Sequence, residues 1–279
     1  MKKMLILACM AIGIVACGKD DEKGPILSPS GNYMVKSIKV TYYADGFWDG
    51  YSVSSYAYDF LGRVVSMKTD YNWGDGDESY YSLMTNITYN GDEFFVSEVW
   101  TDEDEDGSIN FSGDLNSDGY ITRIWDEEIP CSFQYDSDGH YVSGLYDDGA
   151  KESYSWHEGN IVREAYADDW GSYESMMKYN DMPAKNVNLD LSRFVLASSM
   201  GVCWFAFGNS DNVASVCIPL YGVNNSNFVE SCMDDDGSYC AYQWSYNQKG
   251  LPTSCTSKHV SSDSDGDIVF ERVFEFSYM

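Results

Sequence analysis

The chain has 279 residues, of which 45 are Asp or Glu and 17 are Lys or Arg, so its formal net charge is −28. This balance excludes nucleic acid and disfavours an anionic membrane surface as partners, because contacts with phosphates need clustered cations. A content of 44% apolar and 16% aromatic residues also excludes an acidic disordered chain.

The first segment resembles a bacterial lipoprotein signal. Met1–Lys3 is basic, and Met4–Val15 is apolar but too short to span a bilayer as a helix. The run ends in Ile14-Val15-Ala16-Cys17, which resembles a lipobox, where the Cys sulfur is acylated and the chain is cut just before it. We therefore predict a signal peptide over residues 1–16 and lipidation of Cys17. An ordinary secretory signal with an incidental Cys is the alternative.

Residues 17–31 have the composition of a tether. Gly18-Lys19-Asp20-Asp21-Glu22-Lys23 resembles the surface-export signal of Bacteroidota-type lipoproteins, and Gly24–Gly31 is typical of a flexible linker. The segment predicts an outer-membrane lipoprotein exposed at the cell surface, with residues 32–279 as a single domain.

One turn motif recurs along that domain. Its clearest copy is Tyr58-Asp59-Phe60-Leu61-Gly62-Arg63-Val64, and similar phrases occupy residues 115–121, 135–141 and 246–251. Asp or Asn at the first turn position hydrogen-bonds the backbone two residues on, and Gly at the fourth takes a positive φ. Each copy therefore predicts a β-hairpin turn.

Alternating residues support strands between these turns. In the last strand Ile268, Phe270, Phe274 and Phe276 share one face, while Glu271 takes the other. A period of two with one wet face is the antiparallel pattern. We predict an all-β fold, a long antiparallel meander of roughly 14 to 18 strands that is curved or barrel-like.

One region, Asn188–Leu220, lacks the turn motif and is the most apolar part of the domain. Asp190 followed by Leu191–Ala197 predicts an N-cap and a short helix, so we expect a helical insert near residues 190–200. It either covers a sheet edge or plugs a barrel end, and Val202–Phe207 is either part of it or a buried strand.

The Tyr58–Val64 phrase resembles the YD-type repeats of large bacterial β-proteins. With the lipobox, the acidic tether and the phrase Asn188-Leu189-Asp190-Leu191, most of the chain is similar to an uncharacterised family of Bacteroidota lipoproteins, a domain of unknown function with a porin-like fold. The resemblance implies a barrel-like meander and no known activity.

A porin inserted in the membrane is an alternative that the aromatic final strand, Phe274–Tyr278, favours. Against it, Ile161–Tyr166 would place charge on either face of a strand. An Arg that faces lipid costs about 2–4 kcal/mol near the bilayer midplane.

One acidic stretch suggests a bound calcium ion. Asp102, Asp104, Asp106 and Ser108 match ligand positions of a calcium loop, but Gly113 stands where its final Glu belongs. An acidic hairpin tip without calcium is the competing interpretation, and no other cofactor is expected.

Among the cysteines, a turn near Gly237 would pair Cys232 with Cys240, and a turn at Asn247 would bring Cys240 near Cys255. The alternative is that these cysteines are buried, reduced thiols.

No catalytic signature is present: His157-Glu158 begins a zinc-protease motif, but Ile161 stands in place of its second His. Trp48, Trp73 and Trp170 lie at expected turns beside carboxylates, an arrangement that suits sugar rings, although such aromatics also pair across strands. We therefore expect a non-enzymatic surface lipoprotein that binds an extracellular glycan or protein. The alternatives are a structural partner of an outer-membrane complex and a glycan-acting enzyme.

Overall fold

Sixteen β-strands make up most of the chain, each antiparallel to its neighbours. They are β1 Val35–Ala44, β2 Phe47–Tyr58, β3 Val64–Trp73, β4 Ser79–Asn90, β5 Glu93–Thr101, β6 Asp106–Leu115, β7 Ile121–Trp125, β8 Cys131–Tyr135, β9 Tyr141–Tyr146, β10 Lys151–His157, β11 Asn160–Ala167, β12 Ser172–Pro183, β13 Asn227–Asp234, β14 Tyr239–Tyr246, β15 Pro252–Val260 and β16 Ile268–Tyr278.

This computed structural model describes residues 32–73, 79–101, 106–125, 131–184, 186–201, 203, 213–263, 266 and 268–279. The predicted signal peptide and tether, residues 1–31, lie outside these residues, and so does Val202–Phe207 apart from Cys203.

The meander closes on itself. Every strand pairs with the next one in sequence, and β16 pairs with β1 in a register that sets Val40 opposite Phe274. The prediction of an antiparallel all-β meander is confirmed, and of its two possible shapes the closed barrel is the one observed.

The recurring motif forms the predicted turns. Asp59 Oδ1 accepts the N–H groups of Leu61 and Arg63, both at 2.9 Å, and Gly62 has a φ of 80°. Asn116, Asp136 and Asn247 bond the backbone two and four residues on in the same way.

All four of these turns follow even-numbered strands, so they lie at the end of the barrel where the chain enters β1. We call this the N-terminal end and the opposite one the distal end.

Successive side chains along the strands face alternately the inside and the outside of the barrel. In β5, Phe94, Val96 and Glu98 are buried, while Glu93 and Phe95 are exposed. The outer wall carries ion pairs between neighbouring strands, such as Lys39–Glu275 at 3.4 Å and Lys258–Glu271 at 3.4 Å. No helix in the described part of the chain has the length and hydropathy that a membrane-spanning segment needs.

The connection between β12 and β13, residues 184–226, carries the predicted helix. We call it the insert; it contains α1 (Leu191–Met200) and two short 3₁₀ helices, Val213–Cys217 and Pro219–Tyr221. Asp190 caps α1 by accepting the N–H of Arg193 at 3.1 Å, as the sequence predicts. Gly201 ends the helix in the left-handed conformation.

The described part of the insert lies inside the barrel. Its Ala214 carbonyl lies 3.5 Å from the Tyr56 hydroxyl of β2, and its Phe194 ring packs edge-on against Phe274 of β16. Its Cys203 N–H bonds Glu164 of β11. One segment reaches such distant strands only from within, so the insert is an internal plug and not a cover on a sheet edge.

Candidate functional site

Exposed aromatic side chains are concentrated toward the distal end. Of the ten aromatic residues that are exposed in the described part of the chain, eight lie in distal loops or in the distal portions of strands. They are Phe47, Trp48, Tyr51, Trp125, Trp170, Tyr173, Tyr239 and Phe270. Only Phe60 and Phe95 of these ten lie toward the N-terminal end, so the two ends of the barrel differ in the number of aromatic side chains that they expose.

Trp170 is the most exposed of these side chains, at 96%. Its loop joins β11 to β12 and is held by Asp168, whose Oδ1 accepts the N–H groups of Trp170 and Gly171, both at 2.8 Å. Because the Asp168 carboxylate fixes the backbone of this turn, the indole projects into solvent from an ordered loop.

Trp48 stands just after the hairpin turn between β1 and β2. Asp45 and Gly46 both have positive φ there, as a tight two-residue hairpin turn requires. Trp73 ends the neighbouring strand β3 opposite Gly50. The three tryptophans that the sequence singled out therefore share the distal end, but Trp170 lies on the other side of the barrel from Trp48 and Trp73.

A cleft of about 620 Å³ opens beside the Trp170 loop, and we call it the distal cleft. Tyr166 and Tyr173 line it with stacked rings whose centroids are 5.3 Å apart. Arg163 and Glu174, paired at 2.5 Å, and Lys151 add charge to its wall. The cleft thus offers ring faces together with donors and acceptors of hydrogen bonds.

Two carboxyl groups lie behind this wall. Glu152, which lines the cleft, and Glu164 are only 4% and 1% exposed. The Tyr154 hydroxyl lies 3.0 Å from Glu152 Oε2 and 2.9 Å from Glu164 Oε1. Tyr141 also donates to Glu152, and the Cys203 N–H donates to Glu164 Oε2 at 2.6 Å.

These oxygens are at most about 6 Å apart, close to the carboxylate spacing of a retaining glycosidase. However, the Tyr154 hydroxyl occupies the gap between them, where the reacting carbon of a sugar would have to sit. The pair therefore lends no support to the interpretation as a glycan-acting enzyme.

Burial raises the pKa of Glu152 and of Glu164 to about 7, because water no longer solvates the charged forms. Neither residue was predicted from the sequence. The sequence signal that could have found Glu152 is its position in the strand. Glu152 and Tyr154 are two residues apart and therefore face the same side of β10, which is the inside, and a carboxylate on an inward-facing strand position is unusual.

The proposed calcium ligands lie partly outside the described residues, since Asp102 and Asp104 are not among them. Asp106 begins β6, and Ser108 pairs with Val99 across the β5–β6 ladder. Calcium binding there stays a prediction. A second group, Asp136, Asp138 and His140, places three potential metal-ligating atoms within 4.8 Å of one another in one exposed turn.

The strand register separates the two cysteine pairings that the sequence left open. Cys232 lies directly opposite Cys240, whereas Cys240 faces His259 on its other side and Cys255 faces Trp244. The thiols of all three are free and buried in this structure, and a disulfide between Cys232 and Cys240 stays a prediction.

The chain is similar in structure to a porin-like protein from Bacteroides uniformis, with a TM-score of 0.61 and 16% identity over 89% of this chain and 100% of that one. A porin-like protein from Bacteroides vulgatus aligns over 89% of this chain and 99% of that one, with a TM-score of 0.31 and 11% identity. No family model and no curated protein sequence matches the chain. The likeness to the Bacteroides uniformis protein concerns the fold alone.

Proposed function

We propose that the protein is a lipoprotein of the outer membrane, held at the cell surface through Cys17, and that its distal end binds an extracellular glycan. The observation that carries the proposal is the concentration of exposed aromatics and of the distal cleft at the end away from the N-terminus. A tether that enters at the N-terminal end leaves the distal end facing outward.

The outer wall of the barrel supports a lipid anchor over insertion in the bilayer. Ion pairs such as Lys39–Glu275 lie within its strands, where a barrel that spans a membrane has an apolar band. Cys17→Ala should abolish incorporation of radiolabelled palmitate and shift the protein from the membrane to the soluble fraction. Palmitate labelling that persists in this variant would contradict the anchor.

The glycan proposal is tested by a glycan array probed with the full-length protein in detergent. We expect a bound glycan whose affinity falls about tenfold in Trp170→Ala, which corresponds to about 1.4 kcal/mol. Asp168→Ala should weaken binding less, because it loosens the loop but keeps the indole.

Phe60→Ala is the matched control, since Phe60 is exposed at 86% but lies at the N-terminal end. It should bind as the parent does. An array without signal, or equal losses in Trp170→Ala and Phe60→Ala, would overturn glycan binding at the distal end.

A second candidate is a structural partner of an outer-membrane complex. Met176, Met233 and Tyr239 are exposed and lie opposite one another on the outer faces of β12, β13 and β14. Methionines form adaptable contact surfaces. Three residues are a small patch beside the several hundred Å² that mark a stable interface, so the glycan proposal ranks first.

A further inference from the structure

We propose that Glu152 and Glu164 share one proton through the Tyr154 hydroxyl, and that this proton fastens the insert to the barrel wall. The proposal concerns the interior and is independent of what the distal end binds.

A count of hydrogens is the first argument. Tyr154 has one hydroxyl hydrogen, but its oxygen lies 3.0 Å from Glu152 and 2.9 Å from Glu164. If both carboxyls were ionised, only one of these contacts would be a hydrogen bond and the other would be repulsive. A proton on either carboxyl supplies the missing hydrogen, and the three groups then form one chain of bonds.

Burial without a cation is the second argument. Neither carboxyl forms an ion pair within the described residues. Two buried negative charges without a counter-charge would raise the free energy of the folded state, because water no longer solvates them. Burial raises the pKa of both groups, as described above.

The titratable groups that act on the pair come from every element around it. They are Tyr135 and Cys131 of β8, Tyr141 and Tyr146 of β9, Tyr154 of β10, Tyr166 of β11, Tyr173 of β12, Cys232 and Asp234 of β13, and Cys203 and Tyr221 of the insert. None of these groups is a cation that would stabilise a doubly ionised pair.

The link to the insert is the third argument. Glu164 Oε2 accepts the Cys203 N–H at 2.6 Å. Cys203 has a φ of 56°, a left-handed conformation that a non-glycine residue adopts only when its surroundings hold it there. When the shared proton is lost, the two carboxylates repel each other. Glu164 Oε2 then moves away from the Cys203 N–H, and the hydrogen bond that holds this backbone weakens.

Hydrogen exchange of the Cys203 amide in the full-length protein tests the proposal. After correction for the intrinsic rate, we expect exchange to become at least about tenfold faster between about pH 5.5 and about pH 8.5. In Glu164→Gln the amide oxygen still accepts from Cys203 and its NH₂ donates to Tyr154, so exchange should stay slow at both pH values. Glu152→Gln should behave alike.

Glu230→Gln, the same change at an exposed position of β13, should follow the parent chain. A parent chain that is equally protected at both pH values would overturn the proposal, and so would a Glu164→Gln variant that keeps the parent's pH dependence.

If neither variant folds, infrared spectra of the parent chain decide. A band of protonated carboxyl present at about pH 5.5 and lost by about pH 8.5 supports the shared proton, and its absence at about pH 5.5 contradicts it.

Discussion

Arg193 is the largest side chain that the barrel buries completely. Its guanidinium pairs with Asp190 at 3.2 Å and donates to the carbonyls of Tyr221 and Val223 at 3.1 and 2.8 Å. One cation thus holds the start of α1 against the chain that leads into β13. A buried ion pair of this kind fixes the positions of both segments, because removing one partner leaves the other as a buried charge without a counter-charge.

Arg193→Met should therefore lower the free energy of unfolding by about 3–5 kcal/mol, since Asp190 loses its counter-charge inside the barrel. Urea denaturation of both chains measures the change. Arg163→Met is the control, because the Arg163–Glu174 pair lies on the exposed wall, where water screens the charges, and its loss should leave the free energy of unfolding almost unchanged. Equal losses in the two variants would contradict a special role for Arg193.

The carboxyl pair predicts a dependence of stability on pH. Folding raises the pKa of Glu152 and Glu164 from 4.5 to about 7, and because the pair shares one proton, the folded state binds one more proton than the unfolded state between those values. Their contribution to stability is therefore complete below about pH 4.5, falls as the pH rises and levels off above about 7.

Denaturation midpoints measured across this range should show that decline, and it should be smaller in Glu152→Gln. A variant with the parent's slope would contradict the assignment.

At the scale of elements, the four turns at the N-terminal end that carry the recurring motif have the same conformation. Each places an Asx side chain under the backbone and a glycine with positive φ at the fourth position. Gly119 is the cleanest example, with a φ of 84° and open space where a Cβ would be. The glycine is required there by its backbone conformation alone.

Gly119→Ala should therefore cost about 1–2 kcal/mol, the penalty of a left-handed L-residue. Gly171→Ala also meets open space but needs no left-handed backbone, so its effect should be close to zero. Thermal unfolding of the two variants separates them, and comparable shifts would contradict the argument from φ.

The β13–β14 hairpin makes a prediction about its cysteines. Residues directly opposite in an antiparallel pair have Cα atoms about 4.5–5.5 Å apart, which lies within the range of a disulfide. We expect Cys232 and Cys240 to form one when a disulfide oxidant takes up their two protons and two electrons.

Burial raises the pKa of the Cys240 thiol to about 11 and that of Cys232 as well, so oxidation should accompany folding and not follow it. Peptide mapping without reductant should find Cys232 joined to Cys240 and Cys255 free. A Cys240–Cys255 peptide would contradict the register.

At the scale of the whole molecule, the charge of −28 acts against the compact state. Described distal turns such as Asp147-Asp148 and Asp234–Asp236 concentrate acids there. Raising NaCl from about 0.01 to about 0.15 M shortens the screening length from about 30 to about 8 Å and should raise Tm.

Calcium at millimolar concentration and matched ionic strength should raise Tm further if Asp102, Asp104, Asp106 and Ser108 bind it. Asp104→Asn with Asp106→Asn should remove only that second increment. Magnesium that matches calcium, or a double variant that still responds, would contradict a calcium site.

How much of this molecule the sequence predicts depends on the distance between the residues concerned. Asp59 and Gly62 lie in one turn, and Asp190 caps α1 through the N–H of Arg193, three residues on, so both features were predictable from local chemistry. The closure of β16 on β1 was not, because nothing local specifies that Val40 meets Phe274. The Glu152–Glu164 pair depends on strand register in the same way and was not predictable. The position of Trp170 at a turn depends only on its sequence neighbours and was predicted.

The closing pair β1–β16 joins the two extremes of the domain, with Val35 opposite Tyr278. A chain that emerges from its amino end must therefore keep β1 without its outer neighbour until the last strand has arrived. The barrel closes only when β16 has formed, and the unpaired β1 edge is a point of aggregation until then.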